Sequence, residues 1–329
     1  MARYKVVVTD YESSDLNIER EILSEIDAEL IVGRCRTEDE VIEIGKDADG
    51  LMNVAAPITR RVIESLERCR VIARYGIGVD TIDIDAATER GIVVVNVPSF
   101  CEDEVSDHAM TLILTCRRKL FQYAAAVRAG HWSWRIGQPI QRLRGQTLGL
   151  VAFGKIAQRV AQRAQVFGLK VIAYDPYAPE ERFEKLGVER VDLGELLETS
   201  DIVSVHTPLT EETRGLIGEA ELARMKRSAY LINTSRGPVI DEEALYRALR
   251  DSQIAGAGLD VLDEEPPRRE NPLFELENVI ITPHVAGYSE SSWVEVRTKI
   301  AQDVARVLKG KTPQGFVNPE VEVDLKRTE

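Results

Sequence analysis

Five polar residues stand at the ends of apolar runs in the second half of the chain, and a sixth lies just beyond one of them. In "YLINTSRGPVID" Thr234, Ser235 and Arg236 come directly after a strand, in "GLDVLDEEPP" Asp260 stands at the end of the next with Glu265 five residues on, and in "VIITPHVAG" His284 stands at the end of the last. Ligands of open α/β sheets gather at the carboxyl ends of strands, which makes these residues candidates for chemistry. Hydride transfer to a 2-oxo acid needs such a set: a cation for the carboxylate, an acid for the carbonyl oxygen and a group that tunes the acid. Taken singly, each has a plainer reading, as a capping arginine, a carboxylate in an acidic loop or a hydrogen-bonded structural histidine. Their joint position beside a nucleotide-binding pattern favours chemistry.

That pattern is "LGLVAFGKIAQRVA", Leu148 to Ala161, in which the three glycine places of G-x-G-x-x-G read Ala152, Gly154 and Ala157. Gly154 holds the middle place, where backbone must approach a pyrophosphate. Ala157 stands where the pattern itself admits alanine. Ala152 is the departure: a positive φ there would cost about 1–2 kcal/mol, and a negative φ little. A strand precedes the turn and a helix from Lys155 follows it, so that the N–H groups of Lys155 and Ile156 would face the phosphates. Asp175 ends the next strand about 20 residues on, as a ribose-binding carboxylate should. It would accept from the ribose hydroxyls and repel a 2′-phosphate, which predicts NAD over NADP.

Composition sets the frame. The chain has 329 residues, is 44% hydrophobic and 29% charged, and carries a formal net charge of −13. That length suffices for two domains, and the acidic balance argues against nucleic acid or an anionic membrane as partner. Cys35, Cys69, Cys101 and Cys116 form no C-x-x-C pair and have no histidine at metal-ligand spacing. They are expected as free thiols in a reducing compartment, with no metal site. No signal or membrane-spanning run occurs, and cytoplasm is the default expectation. Only the final "EVDLKRTE" has a composition that suggests disorder.

These residues need strands and helices to position them. Short β-rich runs, from "KVVVT" and "ELIVG" to "VVVNV", alternate with helical patterns, one opened by a capping box at Thr37 and Glu40. One helix is expected from roughly Glu102 to Ala129, long enough to link domains or to support a dimer. A second series runs from "TLGLVAF" to "VIITPH". Two such series predict an α/β protein of two doubly wound parallel sheets with an interdomain cleft. A last helix, about 289–310, could finish the second domain or return to the first. The aromatic "HWSW", His131 to Trp134, either reaches the cleft or, as we favour, packs in the core.

The ordered motifs "TLGLVAFGKIA", "YDPY", "HTPLTEETRGLI", "INTSRGPVIDEEAL", "AGLDVLDEEP" and "ITPHVAGYSE" resemble the D-isomer-specific 2-hydroxyacid dehydrogenase family over nearly the whole chain. "RYGIGVDTIDI", "YDPYAPE" and "PHVAGYSE" look most like its branch of C-terminal binding proteins. That branch carries a tryptophan near the last motif, where this chain has Gly287 before Tyr288.

The resemblance implies a flavodoxin-like substrate domain, 1–100 completed by 288–329, and a Rossmann NAD-binding domain, 101–287. It implies that Arg236 holds the substrate, that His284 is the acid–base, and that Glu265 pairs with His284 and favours its charged form. Asp260 would bond the nicotinamide carboxamide. Thr207, Pro208, Thr213, Thr234, His284 and Gly287 would line the cofactor with Gly154, Lys155, Ile156 and Asp175. Arg74 and the N–H groups of Ile77 and Gly78 would meet the substrate from the other domain.

The expected function is an NAD-dependent reductase of a small 2-oxo acid to the D-2-hydroxy acid, acting as a homodimer. A second expectation, from another class, is an NAD-sensing, corepressor-like dimer with vestigial turnover. The complete trio of Arg236, Glu265 and His284 favours the enzyme. A methyltransferase on a similar sheet would leave the trio unexplained.

Overall fold

The computed structural model describes residues 2–11 and 15–321; the charged tail "EVDLKRTE" lies outside the described residues. Two compact units divide the chain, one running to Phe100 and resuming at Ser289, the other from Cys101 to Tyr288. The first unit contains β1 (Tyr4–Val8), β2 (Ala28–Val32), β3 (Gly50–Asn53), β4 (Val71–Arg74) and β5 (Val93–Val95). They form one parallel sheet in the order β2-β1-β3-β4-β5. Val6, Val7 and Val8 are all fully buried, as expected of a strand covered by helices on both faces. The 19-residue helix Glu290–Leu308 packs its Val296, Ile300 and Val304 into the same core as β1 and β4. The capping box at Thr37 is present, with reciprocal bonds between Thr37 and Glu40.

The second unit contains β6 (Thr147–Val151), β7 (Lys170–Tyr174), β8 (Glu189–Arg190), β9 (Ile202–Val205), β10 (Tyr230–Asn233), β11 (Gly256–Leu259) and β12 (Val279–Ile281). Their order is β12-β11-β10-β9-β6-β7-β8, all parallel. The α/β class and both doubly wound sheets agree with the sequence reading; the two-residue β8 is too short to leave a periodic signal. The sheet order reverses between β6 and β9, so their carboxyl ends flank the natural ligand crevice of this unit.

Two expectations fail. The single long helix is two, Glu102–Arg118 and Leu120–Arg128, broken at Lys119, whose φ is 52°. The first buries Leu112, Ile113 and Cys116 against the sheet, whereas the second buries no residue. Continuous helical pattern cannot reveal where its support ends. The tryptophans of "HWSW" are not core: Trp132 is 89% and Trp134 68% exposed. All four cysteines are free. Among the described residues, no helix is long and apolar enough to cross a membrane.

Candidate active site and cofactor turn

The turn after β6 is built on a left-handed alanine. Ala152 has a φ of 70°, the costlier of its two options. Hydrogen bonds on either side hold it there: Ala152 N donates to Tyr174 O at 2.8 Å, and Phe153 N donates to Asp175 Oδ2 at 2.8 Å. Gly154 caps the helix Lys155–Val166 with extended backbone and no side-chain cap. A Cβ built on Gly154 would meet no protein atom within 4 Å. Packing therefore does not demand this glycine; it keeps the space over the helix amino terminus open, as an approaching pyrophosphate requires.

Asp175 has a second task that spacing did not reveal. Its Oδ1 accepts from the amides of Tyr177 and Ala178, both at 2.9 Å, while Oδ2 binds Phe153 N. A carboxylate offers about four acceptor sites, which leaves one on Oδ2 for a ribose hydroxyl.

Across the crevice, at the end of β9, Thr207 Oγ1 donates to Val151 O at 3.4 Å. Thr213 closes the following turn by donating to Pro208 O at 2.6 Å. Thr234 is buried, and among the described residues its hydroxyl has no hydrogen-bond partner. An orphaned hydroxyl beyond β10, an uncapped helix and an open glycine fit a dinucleotide in this unit.

The second group gathers at the ends of β10, β11 and β12. Asn233 organises the first turn, accepting from Ser235 N and Oγ and donating to Arg236 O at 2.9 Å. Gly237 then lets this turn press on the next one, since a Cβ there would lie 1.9 Å from Leu262 O. Glu265 spans the gap: Oε1 accepts from Leu262 N at 3.0 Å, and Oε2 lies 2.6 Å from His284 Nδ1. Burial pushes the Glu265 carboxyl up, but the His284 hydrogen bond and charge, the Leu262 amide and the Arg236 charge together hold it below the ordinary glutamate value. With Nδ1 committed to Glu265, Nε2 is the nitrogen left for a substrate.

His284 itself has a φ of 51°. Its amide donates to Asp260 O at 2.8 Å, and the Asp260 carboxylate accepts from Val285 N at 3.0 Å and Ala286 N at 2.8 Å. Asp260 is 1% exposed, and Gly287 follows directly on the clamped pair. Thr282 Oγ1 donates to Asp260 Oδ1 at 2.6 Å. That hydroxyl has a single proton, so it accepts from His108 Nε2, 2.9 Å away. His108 lies 174 residues from Thr282 and was not singled out in the sequence; its helical position gives no sign of this partner. One acceptor site remains on Asp260 Oδ2 for an outside donor. Of the four histidines, His206 is bonded to Ser204 Oγ at 2.9 Å, and burial pushes it down to about 4, which leaves it neutral.

In the first unit, Arg74 ends β4 and donates to Tyr75 O at 3.1 Å, its guanidinium folded over Gly76. The next turn is tied down by Asn96 Nδ2 on Ile77 O at 2.6 Å, and Gly78 follows.

The family model of the D-isomer specific 2-hydroxyacid dehydrogenase NAD binding domain matches residues 110–286, which contain Gly154, Asp175, Arg236, Asp260, Glu265 and His284. The chain belongs to this dehydrogenase family. It is 42% identical over 316 residues to the D-3-phosphoglycerate dehydrogenase of Methanocaldococcus jannaschii, covering 95% of this chain and 59% of that protein. It is 42% identical over 288 residues to the glyoxylate reductase of Korarchaeum cryptofilum, covering 85% of this chain and 86% of that one. Among solved structures, Aquifex aeolicus D-lactate dehydrogenase with NAD and lactic acid superposes with a TM-score of 0.86 at 30% identity, covering 93% of this chain and 96% of that one. The chain thus spans little more than half the length of one relative and most of the other. Its second unit carries the family's NAD-binding domain.

Proposed function

We propose that the chain is an NAD-dependent oxidoreductase that interconverts a small 2-oxo acid and its D-2-hydroxy acid. The observation that carries this reading is the 2.6 Å contact of His284 Nδ1 with Glu265, with the Arg236 charge acting on the same carboxylate. Bound NAD supplies the hydride acceptor, and NADH the donor, at nicotinamide C4. His284 gives a proton from Nε2 to the carbonyl oxygen in reduction and takes it back in oxidation. Glu265 holds the ring through Nδ1, which leaves Nε2 to the substrate. Arg236 binds the carboxylate and polarises the carbonyl.

On the cofactor side, Asp260 offers its last acceptor site to the carboxamide, Thr234 offers its hydroxyl, and Asp175 selects against a 2′-phosphate. In the first unit, Arg74 and the N–H groups of Ile77 and Gly78 are the candidate carboxylate-binding groups.

Homodimerisation belongs to the same reading. The helix Leu120–Arg128 buries none of its residues, and Leu120, Phe121, Trp132, Trp134, Ile136 and Ile140 are all exposed between residues 120 and 140. Large apolar side chains left in water together favour an interaction surface. A second copy of the chain is the occupant proposed, and sedimentation of the wild type against Phe121→Asp tests it.

NADH consumption across a panel of 2-oxo acids tests the chemistry. Turnover in the wild type, lost about 10²–10⁴-fold in His284→Ala with NADH binding retained, is expected. Undiminished turnover in both His284→Ala and Arg236→Ala would overturn the site. NADH-dependent assembly with no acid consumed would favour the regulatory alternative.

A further inference from the structure

The helix Glu102–Arg118 lies close against β11 because that strand carries glycine where the two meet. A Cβ built on Gly258 would stand 3.1 Å from Leu112 Cβ and 3.4 Å from Cys116 Sγ. Two residues further along β11, a step of about 6.7 Å, Asp260 projects from the same face; four residues back along the helix, a step of about 6 Å, His108 does. The steps match, so the Gly258–Leu112 contact sets His108 beside Asp260 at the carboxyl end of the strand. Asp260 still belongs to the ladder there, its amide donating to Asn233 O at 2.8 Å.

His108 Nε2 lies 3.5 Å from Asp260 Oδ1 but 2.9 Å from Thr282 Oγ1, and that hydroxyl gives its one proton to Asp260 Oδ1 at 2.6 Å. The route from imidazole to carboxylate therefore runs through Thr282, and Nε2 must carry a proton. Among the described residues, Thr282 and Asp260 are the polar partners of this ring. Asp260 in turn holds three successive amides: its carbonyl accepts from His284 N, and its carboxylate from Val285 N and Ala286 N. The first of these residues has a φ of 51°. A residue other than glycine keeps such a conformation only where its surroundings over-determine it. One carboxylate supplies that constraint, and His108, through Thr282, fixes how the carboxylate is turned.

We propose that His108 is a positioning residue for His284: by holding Thr282 and Asp260 it fixes the main chain from which the imidazole reaches the substrate. This rests on the reading above that His284 is the acid–base. Glu265 sets the ring from the side of Nδ1, and the route from His108 sets the backbone beneath it; the two supports meet only at His284. Misplacing a reacting group by about 1 Å costs up to about 10²-fold in rate.

Three variants test it. His108→Leu removes the donor, His108→Gln presents an amide N–H at the same number of bonds from the backbone, and Thr282→Val cuts the route at its middle. In His108→Leu and in Thr282→Val, kcat is expected to fall about 10–100-fold. The KM of the 2-oxo acid should change little, since Asn233 ties the Arg236 turn separately. His108→Gln should recover most of the loss, and His108→Leu combined with Thr282→Val should lose no more than the worse single variant. Undiminished kcat in His108→Leu, a loss that His108→Gln does not recover, or losses that multiply in the pair would overturn the proposal. Nitrogen-15 spectra of the imidazoles decide it without turnover, because the chain has four histidines, His108, His131, His206 and His284. In the wild type the His108 ring should carry its proton on Nε2; the His284 signals should shift in His108→Leu and return in His108→Gln. A His108 ring protonated on Nδ1 alone, His284 signals indifferent to His108→Leu, or a shift that persists in His108→Gln would each overturn it, even in an active enzyme. Were no acid turned over, the dehydrogenase reading would fall by itself, and these spectra would still decide whether His108 places the His284 turn.

Discussion

Oε2 of Glu265 lies 2.6 Å from Nδ1 of His284, while Oε1 of the same carboxylate accepts from Leu262 N at 3.0 Å. The carboxylate is thus fixed to backbone on one side and fixes the imidazole on the other. Because its carboxyl is held below the ordinary glutamate value, the pair stays intact as pH falls to that ordinary value of about 4.5 and is lost only below it. Glu265→Gln keeps the shape and removes the charge. We expect kcat/KM to fall about 10–100-fold with NADH affinity unchanged. Undiminished kcat/KM in the variant would remove Glu265 from the chemistry.

Ala152 gives a prediction of opposite sign. At φ 70° its Cβ costs about 1–2 kcal/mol, and replacement by glycine returns that strain while giving up about 0.4–1 kcal/mol to the freer unfolded chain. Ala152→Gly should therefore stabilise the protein by roughly 0.5–1 kcal/mol without weakening NADH. Urea denaturation reads the first, fluorescence titration the second.

Thr234 separates folding from binding. Its hydroxyl is buried without a partner among the described residues, so Thr234→Val should leave stability unchanged or raise it by up to about 1 kcal/mol. If the hydroxyl meets the cofactor, NADH affinity falls severalfold in the same variant. A destabilised Thr234→Val with native NADH affinity would show that the hydroxyl serves the fold.

His206 makes stability depend on pH. Burial pushes it down to about 4 from an ordinary value of 6.5, so the folded state refuses a proton that the unfolded state accepts. Above pH 6.5 the neutral form prevails in both states and nothing is lost. Between about 6.5 and 4 stability falls by up to about 3 kcal/mol. His206→Asn should flatten that part of the stability curve, as denaturant midpoints at pH 7, 5.5 and 4.5 would reveal.

The alternation of β-rich runs and amphipathic segments was enough to place both parallel sheets, because periods of 2 and 3.6 are local properties of a chain. The same holds for Gly154, for Asp175 and for the strand-end positions of Arg236, Glu265 and His284: each is set by distance from the end of an apolar run.

Tertiary structure alone decided what the backbone does at those positions. Ala152 is left-handed because Tyr174 and Asp175, more than 20 residues away, hold the amides on either side of it. The His284 turn is clamped by Asp260 and, through Thr282, by His108 on a distant helix. The pattern from Glu102 to Ala129 reads as one helix, yet it breaks at Lys119, where its cover of sheet ends. Asp10 looks like any residue after a strand until three amides of the turn after β3 close on it. A sequence records which groups a chain carries and their local period; hydrogen bonds between residues far apart along it exist only once the sheets have formed.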